Sequence, residues 1–167
     1  MRNTPSRQTS ATLIAMTLLL ICSSLSAAPS LSKRDGKAVY KKANCVGCHK
    51  WHGGGGGGYG GVAQSLRKTK LDARLLKLVV QCGRPGTGMP YHHRKAYAGE
   101  NRDCYGMTKT DLGDATPTRA HYFLKEAEVD AVVEYVIQNV QGKGAPDHAD
   151  CVAFWGQDAK RCRMMAP

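Results

Sequence analysis

The stretch Cys45-Val46-Gly47-Cys48-His49 decides how the rest of the chain is read. Two cysteines three apart with a histidine directly after them fall at i, i+3 and i+4, so on one helical turn all three side chains project from the same side. That geometry suits a haem, because two thiols can add to its two vinyl groups while the histidine nitrogen ligates its iron from the proximal side. A thioredoxin-like redox pair would want a βαβ context, and a zinc site would want a second ligand pair at metal spacing; the sequence offers neither. The motif therefore predicts one covalent haem c on Cys45 and Cys48, with His49 as the proximal iron ligand.

Working outward, the residues from about Ser32 to Cys48 predict a helix that delivers the motif, with Val39, Tyr40 and Ala43 as its apolar positions. Gly36 and Tyr40 are four apart on one face, which allows a second helix to approach closely over the glycine while packing on the ring. On the other side, Trp51 and His52 lead into Gly53 through Gly58 and then Tyr59-Gly60-Gly61. Gly56, Gly58 and Gly61 fit G-x-G-x-x-G, but no strand precedes them and no lysine–hydroxyl pair follows, so composition alone accounts for the match. The run reads as a permissive loop able to lie close to the haem, with Tyr59 at its edge. His52 is too near His49 to reach the opposite face of the iron readily.

Thr69 and Asp72 stand at capping-box spacing, and Leu71, Leu75, Leu78, Val79 and Cys82 follow at helical intervals, which predicts a second helix ended by Gly83. Gly83-Arg84-Pro85-Gly86-Thr87-Gly88-Met89-Pro90-Tyr91-His92 then reads as an irregular loop exposing one thioether. Met89 lies 40 residues beyond His49, enough for the chain to form a helix, turn under the haem and present sulfur to its distal face. It is the expected sixth ligand, with Met107, His92, His93 and His121 as rivals. Pro90 stiffens the loop behind it.

Residues 91–122 are polar and poorly periodic, a loop-rich excursion around Cys104, and long insertions of this kind are often functional. From Leu124 the pattern tightens, with Val129, Val132, Val133, Val136 and Val140 on one helical face and Gly142 and Gly144 ending it. This helix is expected to cross the first, with Tyr135 near Tyr40 and Gly36. The tail from Ala145 to Pro167 reads as irregular, with Phe154 and Trp155 packing inward.

At the start of the chain, Arg2 and Arg7 precede an apolar run from Ala11 to Ile21 followed by small residues, the pattern of a secretory signal cleaved after Ala28. The run is too short to span a bilayer, so no membrane span is expected after cleavage. The expected divisions are a signal at 1–28, one domain at 29–144 containing the insertion 91–122, and a C-terminal extension at 145–167. Residues 1–28 carry two of the 24 basic residues and none of the 13 acidic ones, leaving a mature charge of +9. Aromatic residues make up only 7%, so the cofactor should form part of the core. Of seven cysteines, Cys22 leaves with the signal and Cys45 and Cys48 hold the haem, and the remaining four suggest two disulfides in an oxidising compartment. Three connectivities are open; Cys82 with Cys104 and Cys151 with Cys162 is favoured because each closes a local loop.

The chain resembles the class I monohaem c-type cytochromes of the cytochrome c family over about residues 32–90 and 123–141. The resemblance rests on C-V-G-C-H, the loop G-T-G-M-P-Y-H and the closing helix L-K-E-A-E-V-D-A-V-V-E-Y-V. It implies a small all-α fold around one haem attached at Cys45 and Cys48 and ligated by His49 and Met89, with first and last helices crossing at Gly36, Tyr40 and Tyr135. Two departures are the insertion after Met89 and the cysteine-bearing tail. A third is Lys125, which stands where the family often has a helix-capping hydroxyl.

The expected function is that of a periplasmic single-electron carrier and not an enzyme, since methionine on the distal side leaves a six-coordinate iron no open position. Its partners would be redox proteins, a periplasmic dehydrogenase as donor and an oxidase or another cytochrome as acceptor. Lys41, Lys42, Lys50, Arg67, Lys68 and Lys70 could form a basic rim that steers an acidic partner. Nucleic-acid binding is disfavoured by export. The alternatives are a tightly bound haem subunit of a periplasmic, for instance quinoprotein, dehydrogenase complex and a ligand-binding or peroxidase-like haem protein with labile Met89.

Overall fold

A computed structural model describes residues 32–58, 63–157 and 160–165. The expected signal, Cys22 and Tyr59 lie outside the described residues. The elements are α1 (Ser32–Lys42), α2 (Cys45–His49), α3 (Ala73–Cys82), α4 (Lys109–Leu112), α5 (Glu126–Asn139) and α6 (His148–Trp155), with short 3-10 segments at Gly113–Ala115 and Lys160–Met165. The one β-type pairing among the described residues is an isolated parallel bridge between Tyr91 and Arg119, so the all-α expectation holds there.

The core is organised by the crossing of α1 with α5. At Gly36 the two backbones come so close that a methyl group there would collide with the Ala131 carbonyl and stand 2.6 Å from Tyr135 Cβ. Tyr40, almost fully buried, packs tilted on Tyr135 with ring centroids 5.7 Å apart. Its hydroxyl donates to the Lys50 carbonyl at 3.0 Å, which ties the crossing to the residue just beyond α2. Val39, Val129, Val132, Val133 and Val136 fill the rest of this cluster, and α3 adds Leu76 from the side. The crossing at Gly36, Tyr40 and Tyr135 is the one expected from sequence.

Three local expectations are corrected. The single helix predicted from Ser32 to Cys48 is two, because Asn44 adopts left-handed backbone (φ 59°), which asparagine tolerates better than most residues. That break re-aims the motif relative to α1. The second helix starts after Asp72, not at Thr69: the Asp72 carboxylate accepts the Leu75 N–H at 2.8 Å, while Thr69 Oγ1 is taken by the Leu71 N–H at 3.3 Å in a preceding turn. Lastly, the tail is largely helical. Asp147 caps α6 by accepting the Asp150 N–H at 2.8 Å, and α6 inserts Phe154 into the main core, edge-on to Tyr40 with centroids 6.2 Å apart. Lys37 and Lys41 of α1 donate to the Ala153 and Phe154 carbonyls, both at 2.7 Å, placing cations at the C-terminal end of α6, where they stabilise it.

Lys125 supplies no capping hydroxyl to α5, but the Glu128 carboxylate accepts the Lys125 N–H at 2.9 Å and also takes Lys42 Nζ at 2.7 Å. A second, smaller cluster lies in the insertion, formed by Cys82, Ala96, Tyr97 and Cys104. Cys82 is bonded to Cys104, and Cys151 to Cys162, the pairing favoured from loop closure.

Candidate functional site

Cys45, Cys48 and His49 are brought together on the single turn of α2. Both thiols are unbonded, whereas the other four described cysteines are paired. Cys45 and Val46 are partly buried against the main core, and burial pushes the Cys45 thiol up to about 12. A reactive redox cysteine needs the opposite shift, towards an accessible thiolate, so the structure gives no support to a thioredoxin-like pair.

His49 is aimed by a group with no sequence signature. Its Nδ1 stands 2.9 Å from the main-chain carbonyl of Gln64. A carbonyl can only accept, so Nδ1 carries the proton and Nε2 is left with the lone pair. Burial holds the imidazole below its ordinary pKa, partly offset by that hydrogen bond, and the neutral ring is the form that ligates a metal. Sequence reasoning missed Gln64, because any residue presents the same carbonyl.

The glycine run wraps the exposed end of α2. Gly55 N–H donates to the His49 carbonyl and Gly57 N–H to the Cys48 carbonyl, each at 3.1 Å, satisfying acceptors that the helix end leaves open. A side chain at Gly58 would begin 2.9 Å from Cys48 Sγ, and one at Gly57 would begin 2.8 Å from the Gly47 carbonyl. Glycine is therefore required here by close approach, and it leaves the Cys48 sulfur uncrowded.

Met89 is on a separate element, the loop after α3, and is partly buried. Its carbonyl accepts the Arg84 N–H at 3.2 Å and its own N–H donates to Thr87 Oγ1 at 3.2 Å, which closes the loop on itself. Gly83, which ends α3, has φ 66° and faces the Met89 carbonyl so closely that a methyl group would lie 2.7 Å from it. Among the rivals, Met107 and His121 are exposed. His92 is buried with its Nδ1 3.0 Å from the Tyr122 carbonyl, and desolvation lowers its pKa.

Of the six basic residues named from sequence, three are engaged by other parts of the chain and three are exposed. Lys41 Nζ is spent on Phe154, Lys42 on Glu128, and Arg67 on the His52 and Gly144 carbonyls at 3.0 and 2.6 Å. Lys50, Lys68 and Lys70 are exposed. His52 lines a cleft of about 330 Å³ together with Trp51, Arg67 and Asp150, and its Nδ1 accepts the Gly54 N–H at 3.0 Å.

Two unbonded thiols and an imidazole with a free Nε2 on one helical turn, beneath a main chain stripped of side chains, fit a covalently attached haem. Among the described residues no helix is long and apolar enough to cross a membrane. No curated protein and no solved structure matches the chain. The family model for cytochrome c matches residues 34–139, more than half of the chain, from within α1 to the end of α5, so this protein belongs to the cytochrome c family, whose covalent haem serves electron transfer.

Proposed function

We propose that the protein is an exported, periplasmic single-electron carrier, with one haem held by thioethers from Cys45 and Cys48 and ligated by His49 Nε2 and Met89 sulfur. The observation that carries this reading is the 2.9 Å contact of His49 Nδ1 with the Gln64 carbonyl, which presents Nε2 as a ligand beside two free thiols. When bound, the haem supplies a one-electron couple at its iron. The chain's part is to keep that iron six-coordinate, so that electrons pass without bond-making chemistry, and a thioether ligand raises the potential. The paired Cys82–Cys104 and Cys151–Cys162 support an oxidising compartment.

A redox partner with an acidic face is supported by the insertion more than by the residues around α2. The Arg94 and Arg119 guanidinium groups each lie 4.9 Å from the centre of the Phe123 ring, held in place without a carboxylate partner among the described residues. Arginine is enriched among the residues that anchor protein interfaces, and the ring beneath these two holds them in position.

The ligand set is tested by optical and magnetic spectroscopy of the purified protein beside its Met89→Ala variant. A low-spin spectrum in the wild type that turns high-spin or ligand-labile in the variant is the expected result. An unchanged low-spin spectrum in the variant removes Met89 from the ligand set and assigns the sixth position to another residue, with the iron still six-coordinate.

A further inference from the structure

The insertion 91–122 is pinned to the main chain on both sides of Met89. Before the methionine, two tyrosine hydroxyls donate to consecutive carbonyls at the junction of α3 with the loop: Tyr97 to Cys82 at 2.8 Å and Tyr105 to Gly83 at 2.6 Å. The Cys82–Cys104 bond fixes the same junction, and Pro117 Cβ lies so near Gly83 that a methyl group there would be 2.7 Å away. Inside the loop, Gly86 N–H donates to the Ala115 carbonyl at 2.8 Å. After the methionine, Tyr91 N–H donates to Thr118 and Ala120 N–H returns to the Tyr91 carbonyl, both at 3.0 Å, while Leu124 N–H reaches the His92 carbonyl at 2.9 Å. The residues that supply these contacts run from Tyr97 to Leu124, across the insertion and just past its end. Their targets are the residues flanking Met89.

We infer that residues 91–122 are a clamp on the Met89 loop, in which the Tyr97 and Tyr105 hydroxyls are positioning groups that hold the distal thioether against displacement by outside ligands. This rests on Met89 being the distal ligand. A distal ligand carried on an irregular loop stays in place only as well as the loop is held, because displacement by a diatomic ligand requires the loop to open first. Each hydroxyl placed on a loop-base carbonyl shifts that opening equilibrium, about fivefold for one ordinary hydrogen bond. The aromatic rings need not change for this effect to be lost, since only the oxygen reaches the carbonyl.

The test is carbon monoxide binding to the reduced, haem-loaded protein in Tyr97→Phe, Tyr105→Phe and the double variant, with Met89→Ala and Val132→Ala alongside. Val132 is buried in the α1–α5 core, in a different hydrophobic cluster from Cys82, Tyr97 and Cys104. The clamp predicts binding about fivefold faster in each single variant and faster still in the double, approaching the rate of Met89→Ala. Val132→Ala should lower the unfolding midpoint while leaving the binding rate near wild type. Tyrosine variants that bind carbon monoxide at the wild-type rate overturn the clamp while Met89→Ala still confirms the ligand. Equal acceleration in Val132→Ala also overturns it, because the effect would then be global loosening. If Met89→Ala itself binds no faster than wild type, the ligand assignment falls and the clamp with it. Should the double variant fail to fold, Tyr105→Phe alone decides the matter, as its ring is only partly buried.

Discussion

The crossing of α1 with α5 and the insertion 91–122 are held by different forces. In the crossing, two helices meet face to face over a glycine, and valines with two tyrosine rings tilted against each other remove apolar surface from water. In the insertion the buried cluster is small, and the chain is fixed by a disulfide, by tyrosine hydroxyls on carbonyls and by the Thr108–Asp111 capping box. A region held by packing is sensitive to volume. A region held by point contacts is sensitive to single polar atoms and to the covalent bridge, and tolerates changes of volume between them.

The largest expected effect is on the crossing. Gly36→Ala adds one carbon where the Ala131 carbonyl and Tyr135 Cβ already stand, and main chain cannot rotate away as a side chain can. Separating the helices to make room also opens the valine layer behind them, so a cost of about 3 kcal/mol is expected in denaturant unfolding of the haem-loaded protein. A cost below about 1 kcal/mol would mean that the crossing yields easily and that packing is not its main restraint.

The insertion is expected to break differently. Replacing Cys82 and Cys104 together by serine opens a bridge with a sequence separation of 22, which costs about 3 kcal/mol in the chain-entropy account. Amide hydrogen exchange locates the loss. Residues 91–122 should exchange faster while α1 and α5 keep their protection, since no disulfide touches the crossing. Equal loss of protection in α1 and α5 would show one cooperative unit and erase the distinction between the two regions.

The same difference explains what could be read from the sequence. Packing leaves a periodic trace: Gly36 with Tyr40, the valines of α5, and the spacing of Cys45, Cys48 and His49 were all legible, and they located both the crossing and the motif helix. Side-chain contacts to a main-chain carbonyl distant in sequence leave none. Nothing in the identity of Gln64 announces that its carbonyl aims His49, and nothing in Tyr97 or Tyr105 says that their hydroxyls reach Cys82 and Gly83. The break at Asn44 depends on a single φ angle, and a residue type only permits it. Two signals were present and unread. Asp147 with Asp150 has the spacing of a helix start, which predicts a helix in the tail, and Glu128 stands three after Lys125, where a carboxylate can accept the Lys125 N–H.

Glu128 also carries the smallest of these effects, and it sits where the two regions meet. One carboxylate oxygen takes Lys42 of α1, and the other takes the Lys125 N–H at the start of α5, directly after Leu124, whose N–H is bonded to His92 at the edge of the insertion. The Lys42 contact first, and the Lys125 N–H second, hold the Glu128 carboxyl below its ordinary value of 4.5. A carboxyl with a depressed folded-state pKa contributes stability that is fully present above the unfolded value and is lost as pH falls through the folded one. Glu128→Gln should therefore cost about 1 kcal/mol near neutral pH, as for a helix cap joined to a partly exposed ion pair. The gap between variant and wild type should close as pH falls below about 4, when the wild-type carboxyl also becomes neutral. Denaturant midpoints at about pH 7 and about pH 3 measure it. A gap that persists unchanged at the lower pH would place the contribution in the shape of the side chain, not in its charge, and the joint between the two regions would then be one of packing as well.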